Sequence, residues 1–491
     1  RRTTATAAKV RVAAVAARER GAPHAARAPA LPQGVAADRA VLGGDRRDAG
    51  TAARPHGLGA PAAGRGGLLD LLCGRAARRR PRWAGTCQKV PVLAACELVP
   101  SRAALIRNNF PDTKVFEGDV WKLQDSYVNY FHSKLNGRRP WLLTLSPPCQ
   151  GMSSNGAGRI SSAIKQGNRP KEDERNRLIL PGINVLEQLQ PDWFILENVR
   201  RMENTIIRNE KDEPENILDC LARRLHPLGY SIRANVLDFR AYGVPHHRAR
   251  LISIGCRIPS LVKETPPIQS VFSKELSPFH PLPTHGEDGQ PSFVSLRQAI
   301  GGLPPLDARD RLVDPNDPYH CVTKWNEKQY FWMEHTPEGQ TAFENDRCPD
   351  CGALSKDRTL VSCPCGFPLP RPQVSKGRET RLVRGFRSSY RRMRWDRPGG
   401  TLTMNSGVIS SDLKGHPEQN RVLSLREILL LSTLQHEQWG RTYSFEGIKY
   451  GRMKEEETFS KKLVREVIGE SIPPLAMLRI VERLLELDDR F

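Results

Sequence analysis

The chain has 491 residues, 38% of them hydrophobic and 26% charged, with a formal net charge of +21. It is long enough for two or three cored domains, and its composition excludes a chain that stays unfolded throughout. A membrane span is also excluded, since no apolar run approaches the ~18 residues that a bilayer crossing needs. The positive balance suits a polyanionic partner, although eighteen basic and five acidic residues already lie within 1–95. Eleven unevenly spaced cysteines read as reduced thiols plus a metal site rather than a disulfide framework. No secretion signal follows Arg1-Arg2, so the expected compartment is the cytoplasm.

Residues 1–66 contain 21 alanines and no Phe, Trp or Tyr. Such a segment cannot bury enough surface to offset its ordering entropy and is expected to be disordered or weakly helical. The same composition would arise from a GC-rich region read in a shifted frame. Gly67-Leu68-Leu69-Asp70-Leu71-Leu72-Cys73-Gly74 reads as a first strand ending in a glycine turn. A second strand runs from Val90 to Cys96 and ends in Glu97, and a helix is expected from Ser101, as N-cap, to Asn109. A third strand, Val115 to Val120, contains Gly118-Asp119. A carboxylate at the place of Glu97 suits a ribose diol, and Asp119 suits an adenine amino group. Each is otherwise a turn or cap residue.

The apolar run Trp141 to Leu145 predicts a buried strand, and Ser146-Pro147-Pro148-Cys149-Gln150-Gly151 follows it. Two prolines end the strand, because they lack N–H donors and fix φ. Cys149 therefore falls on a loop beyond a strand's carboxyl end, where open α/β sheets build their sites. There it is a candidate nucleophile, the alternative being a buried structural thiol. An amphipathic helix is expected from Glu174 to Gln190, then the strand Trp193 to Leu196 leading into Glu197-Asn198-Val199. A helix near Ile217–His226 and a strand Ser231–Leu237 follow, then Tyr242-Gly243-Val244-Pro245-His246-His247-Arg248-Ala249-Arg250 and the strand Leu251–Gly255. This alternation over 67–256 predicts βαβ units and a mostly parallel, doubly wound sheet.

From 257 to 390 prolines cluster and alternation is lost. Cys348-Pro349-Asp350-Cys351-Gly352 and Cys363-Pro364-Cys365-Gly366 read as two knuckles of a four-thiolate structural zinc site, the second one residue short of the usual spacing, the alternative being four unliganded surface thiols. The arginine-rich run 378–394, interleaved with Phe386, Tyr390 and Met393, suits phosphate contacts or a solvated basic face. Residues 391–491 are patterned again, with a helix through Leu434 and a final amphipathic helix carrying Leu475, Leu478, Ile480, Val481, Leu484 and Leu485.

Taken in order, these motifs resemble the DNA (cytosine-5)-methyltransferase family. The resemblance rests on Asp-Leu-Leu-Cys-Gly, Glu97, Gly118-Asp119, Ser-Pro-Pro-Cys-Gln, Glu-Asn-Val and Tyr-Gly-Val-Pro-x-x-Arg-x-Arg, then Arg-x-Leu-Ser-x-Arg-Glu and Ile-Gly-x-Ser-Ile-Pro-Pro. It covers about 67–256 and 385–488 and implies a class I methyltransferase fold. Residues 67–256 would form the catalytic domain, 257–390 a target-recognition region with the zinc knuckles, and 391–491 a return to the catalytic domain. It also implies S-adenosylmethionine as methyl donor, held along Asp70, Cys73, Gly74, Glu97, Asp119, Pro147, Glu470 and Ser471.

The implied chemistry is methyl transfer to C5 of a cytosine flipped out of double-stranded DNA. Carbon 5 is a poor nucleophile until the Cys149 thiolate adds to C6. Glu197 would meet the charge at N3, Arg248 would hold O2 and Arg250 would support the pocket. The expected setting is a monomer in a bacterial cytoplasm, associated with the nucleoid, as a restriction-modification or orphan methylase. The chain departs from the family where Arg75-Ala76-Ala77 replaces Ala-Gly-Gly, His246 replaces Gln, and Glu470 replaces Asn. Two other functions stay open at this level: a tRNA cytosine-5 methyltransferase, and a DNA-binding protein that keeps Cys149 without binding the methyl donor.

Overall fold

In the computed structural model the described residues are 91–148, 152, 174–265, 270–286, 290–377, 379–384, 388–436 and 443–488, with the backbone of 12–15. Strand β1 is Val12–Val15 and β2 is Val92–Glu97; helix α1 is Pro100–Asn109. β3 spans Lys114–Glu117, α2 Val120–Lys134 and β4 Leu142–Leu145. A 3-10 turn, Glu174–Leu178, leads into α3, Ile179–Leu189, which ends on the left-handed Gln190. β5 is Trp193–Asn198, α4 Ile217–Leu225, β6 Ser231–Asp238 and β7 Ala249–Cys256.

These strands form one seven-stranded sheet in the order β3-β2-β1-β4-β5-β7-β6. Three expectations change. Within the segment expected to be disordered, Val12–Val15 forms a strand between β2 and β4, antiparallel to both. That slot offers two unpaired backbone edges, and a short Val-Ala-Ala-Val segment can satisfy both without a large side-chain core. The expected strand 67–74 lies outside the described residues. The sheet is also less parallel than expected. Only β2·β3 and β4·β5 are parallel among its described pairings. A β6–β7 hairpin inserts β7 beside β5, antiparallel to both neighbours. Finally, Val99, not Ser101, is the N-cap of α1, with Pro100 in the first turn. Proline's fixed φ and missing N–H suit that first turn.

Close packing of the sheet's two halves depends on one glycine. Gly255 of β7 pairs with Phe194 of β5, and a Cβ there would lie 1.9 Å from the Phe194 ring. One core joins β4, β5, α3 and α4 through Leu143, Leu145, Ile183, Leu186, Phe194, Leu196 and Leu221. The C-terminal part returns to the sheet in three helices, α5 (Leu425–Leu431), α6 (Lys461–Glu470) and α7 (Pro474–Asp488). α6 was not expected from the sequence, and α5 is shorter than expected. α5 and α6 bury Leu429, Val464 and Val467 against Val92, Leu105 and Ile106. α7 buries Leu475, Leu478 and Val481 against Trp193, Ile252 and Ile254.

A separate cluster within 257–390 centres on Trp325, Trp332, Met333 and Tyr390 and draws in Ile409 and Val422 from beyond residue 390. No described helix is long and apolar enough to cross a membrane.

Candidate active site and cysteine cluster

The sheet register assembles the candidate site. Leu145, the last residue of β4, pairs with Leu196 of β5, so the chain leaving β4 through Ser146 and Pro147 runs alongside Glu197 and Asn198. Asn198 fixes that exit. Its Nδ2 donates to the Pro147 carbonyl at 3.0 Å, and its Oδ1 accepts from the Val199 N–H at 2.8 Å. Cys149 itself lies outside the described residues, two positions beyond this clamp.

Glu197 pairs with Ile252 and Asn198 with Leu251 across β5 and β7, which sets the start of β7 against the end of β5. Arg250 Nε consequently lies 3.0 Å from Glu197 Oε1. Burial pushes the Glu197 carboxyl above its usual range, and the Arg250 and Arg248 guanidiniums only partly oppose this. A carboxyl with raised proton affinity is suited to deliver a proton.

Arg248 is 1% exposed. Its Nη1 donates to the Leu402 and Gly469 carbonyls, each at 3.3 Å, tying the turn before β7 to the segment around residue 402 and to α6. The Gly469 contact needs glycine, because a Cβ there would meet the Met404 backbone nitrogen at 2.2 Å. His246 is also buried. Desolvation first, then neighbouring Arg248, drives its pKa well below the usual value, so it stays neutral beside the arginines.

The expected cofactor residues divide. Asp70, Cys73 and Gly74 lie outside the described residues. Glu97 ends β2, buried, with Oε1 accepting from the Val99 N–H at 2.8 Å. Asp119 is the N-cap of α2, accepting from the Trp121 N–H at 3.1 Å. Between them Gly118 adopts φ +149°, and a Cβ there would touch Leu123 at 3.0 Å. Pro147 is buried at the end of β4. Carboxylates at adjacent strand ends, beside a glycine held in that conformation, fit the ribose and adenine of S-adenosylmethionine.

Glu470 and Ser471 are engaged elsewhere. Glu470 Oε2 accepts from Arg102 of α1 at 2.6 Å, so the charge expected to face the methyl donor is matched by an arginine. The Ser471 hydroxyl donates to the Ile468 carbonyl at 3.1 Å.

The four sulfurs of Cys348, Cys351, Cys363 and Cys365 all lie within 4.8 Å of one another. Two of the sulfur pairs, Cys348–Cys365 and Cys351–Cys363, are 3.7 and 3.6 Å apart. A tetrahedron of Zn–S bonds of ~2.3 Å has edges of about 3.8 Å, so the cluster has the size of a four-thiolate site. Each knuckle folds on a glycine of positive φ, Gly352 at +73° and Gly366 at +89°, which permits the tight turn. The Cys351 N–H on the Cys348 sulfur helps pull that thiol down to about 7.

Arg371, just after the second knuckle, is 0% exposed. It donates to the carbonyls of Asn345, Asp357, Leu360 and Ser355 at 2.6 to 3.0 Å. The arginine-rich run is not uniformly a phosphate surface either. Arg392 is buried and donates to the carbonyls of Thr336, Met333, His416 and Gln419.

Sequence reasoning passed over Asn198 as anything more than motif, and missed Arg371 and Gly469 as tethers. Asn198 sits in the quoted Glu-Asn-Val and could have been found by asking which side-chain donor satisfies the carbonyls where two prolines end the strand ladder. Arg371 carries no such signal, because the carbonyls it binds are scattered over residues 345–360 with no motif to mark them.

The model of C-5 cytosine-specific DNA methylases matches residues 82–486. Among curated relatives, the Type II methyltransferase M1.HgaI of Avibacterium volantium is 28% identical over 414 residues, covering 80% of this chain and 92% of that protein. The Type II methyltransferase M1.HphI of Haemophilus parahaemolyticus is 24% identical over 397 residues, 81% of each chain. The Type II methyltransferase M.AgeI of Thalassovita gelatinovora is 24% identical over 376 residues, 67% of this chain and 79% of its own.

Proposed function

The chain belongs to the C-5 cytosine-specific DNA methylase family, and on that premise we propose how its residues divide the work of methyl transfer. The protein is an S-adenosylmethionine-dependent methyltransferase acting on cytosine in DNA. The cofactor supplies an electrophilic methyl group. Glu97, Asp119 and Pro147 at the ends of β2, β3 and β4 would hold it, together with Asp70, Cys73 and Gly74.

Cys149 adds as thiolate to C6 of the flipped cytosine. The negative charge that builds at N3 is met by the proton of Glu197, and the O2 carbonyl faces Arg248. This makes C5 an enamine carbon able to take the methyl group; loss of the C5 proton then expels the thiolate. The single observation carrying this assignment is Glu197, with raised proton affinity and 3.0 Å from Arg250, one residue past the level where the strand leading to Cys149 ends.

The cysteine cluster binds one zinc ion in a structural role, since all four positions are thiolates and none is left for water. The Type II names of the bacterial relatives support a restriction-modification role, in a bacterial cytoplasm and at its nucleoid. A monomer suffices, because the proposed catalytic groups all come from one chain.

The test is incubation of the full chain with labelled S-adenosylmethionine and DNA containing 5-fluorocytosine. The expected result is a covalent labelled adduct that disappears in Cys149→Ser. Wild-type protein that binds DNA but forms no adduct and binds no S-adenosylmethionine would overturn the assignment in favour of a non-catalytic DNA binder.

A further inference from the structure

Two short strands project from the cysteine unit: β8, Gln373–Lys376, and β9, Glu379–Leu382, paired antiparallel. Residues 374–376 and 379–381 are exposed on both faces of this ribbon. A two-stranded ribbon with neither face covered gains little from burial and is at best marginally stable alone. This one is held at its root. The Val383 N–H donates to the Pro372 carbonyl at 2.8 Å, and Gln373 Nε2 donates to the Leu369 carbonyl at 3.1 Å. Leu369 packs against Cys348 and Cys363, and buried Arg371 locks the segment between the knuckles. The cysteine unit thus serves as the foundation of a structure that buries almost nothing of its own.

The two faces differ in chemistry. The register Val374↔Arg381 and Ser375↔Thr380 puts Gln373, Ser375, Thr380 and Leu382 on one face. Their polar groups are used within the protein, Ser375 and Thr380 hydroxyls meeting at 3.0 Å. The other face presents Val374, Lys376, Glu379 and Arg381. The segment 373–384 carries four basic residues against the single acidic Glu379.

We infer that this ribbon enters the major groove of the DNA substrate and that Arg381, with Lys376, reads the target sequence. The inference rests on the methyltransferase reading above. The major groove, about 12 Å wide, admits a two-stranded β-ribbon, and its base edges match this face: arginine or lysine to guanine, glutamate to the cytosine amino group, an aliphatic side chain to the thymine methyl. The basic excess matches the phosphate backbone.

The experiment starts with bisulfite sequencing of DNA from cells expressing the full chain, which defines the methylated site. Purified wild type, R381A, R381K and K376A are then compared for kcat/KM on plasmid DNA bearing that site, for sequence context, and for S-adenosylmethionine binding by calorimetry. The expected result is a tenfold to hundredfold loss of kcat/KM in R381A, about the worth of one bidentate base contact. Context should relax at one position, cofactor binding should not change, and R381K should fail to restore the context. Wild-type kcat/KM and context in both R381A and K376A overturns the ribbon while leaving the methyltransferase intact. A loss of kcat/KM in R381A with unchanged context reduces Arg381 to a phosphate contact and overturns its reading role. A wild-type chain that methylates no cytosine overturns the methyltransferase reading, and the ribbon's role with it.

Discussion

Glu197 of β5 and Arg250 of β7 meet at 3.0 Å because the antiparallel register of these two strands places the start of one against the end of the other. Burial raises the proton affinity of Glu197, and Arg250 lowers it by less. In the proposed mechanism the protonated form is the active one, so kcat/KM should fall as pH rises past this raised value. In Arg250→Met a lowering influence is gone, and the descending limb should move to higher pH. Glu197→Gln should lose about 10²- to 10⁴-fold in kcat, the usual worth of a positioned acid. A pH–rate profile of the three proteins checks this, and an unmoved descending limb in Arg250→Met would contradict the pairing.

Asn198 holds the Pro147 carbonyl from a neighbouring strand. Asn198→Ala should leave the sheet intact but let the loop carrying Cys149 drift. Misplacement by about 1 Å costs on the order of 10²-fold in rate. The loss should fall on kcat with normal DNA and on the rate of adduct formation with 5-fluorocytosine DNA, with near-normal DNA affinity and an unchanged circular dichroism spectrum. Equal rates in wild type and variant would show that the clamp does not position the loop.

Arg421 and Glu427 form a bidentate ion pair with side chains 1% exposed, at 2.7 and 2.8 Å. Burial works against the Glu427 carboxylate, yet Arg421 brings it down to about 2. The folded value lies below the unfolded one, so the stabilisation is complete above the ordinary glutamate range. It fades as pH falls from about 4.5 toward 2, at roughly 1.4 kcal/mol per unit. Glu427→Gln should cost about 3–5 kcal/mol at neutral pH, because it leaves a buried arginine without its charge partner. Denaturant titrations at several pH values read both effects; a flat stability curve below pH 4.5 would refute them.

Cys351→Ser removes one corner of the thiolate tetrahedron. Elemental analysis should give one zinc per wild-type chain and much less in the variant, with the thermal midpoint lowered. The ribbon rooted on this unit should become more sensitive to trypsin at Lys376 and Arg381. Metal-free wild-type protein with unchanged protease resistance would disprove the site.

The sequence made the catalytic half legible because its chemistry sits at strand ends. The run Trp141 to Leu145 had to be a strand, the two prolines had to end it, and Glu197 followed a second such run. Four cysteines in two glycine-terminated knuckles announced their own convergence. These are local patterns, and local physics decides them.

Less legible were features that depend on partners far away in the chain. Whether β7 runs parallel or antiparallel to β5 is set by the β6–β7 hairpin and by Gly255 making room for the Phe194 ring. The commitment of Glu470 to Arg102, and the strand Val12–Val15 between β2 and β4, likewise follow from what the fold brings alongside them. Composition had marked that N-terminal segment as unable to order itself, which holds for a chain alone but not for one offered two open strand edges. The sequence alone therefore determined which groups are candidates for the chemistry and that the cysteines gather. Only the tertiary structure decided which carboxylate meets which guanidinium, which arginines are buried and which remain exposed. Those outcomes turn on burial and on pairing between distant segments, and neither is written in any local stretch of residues.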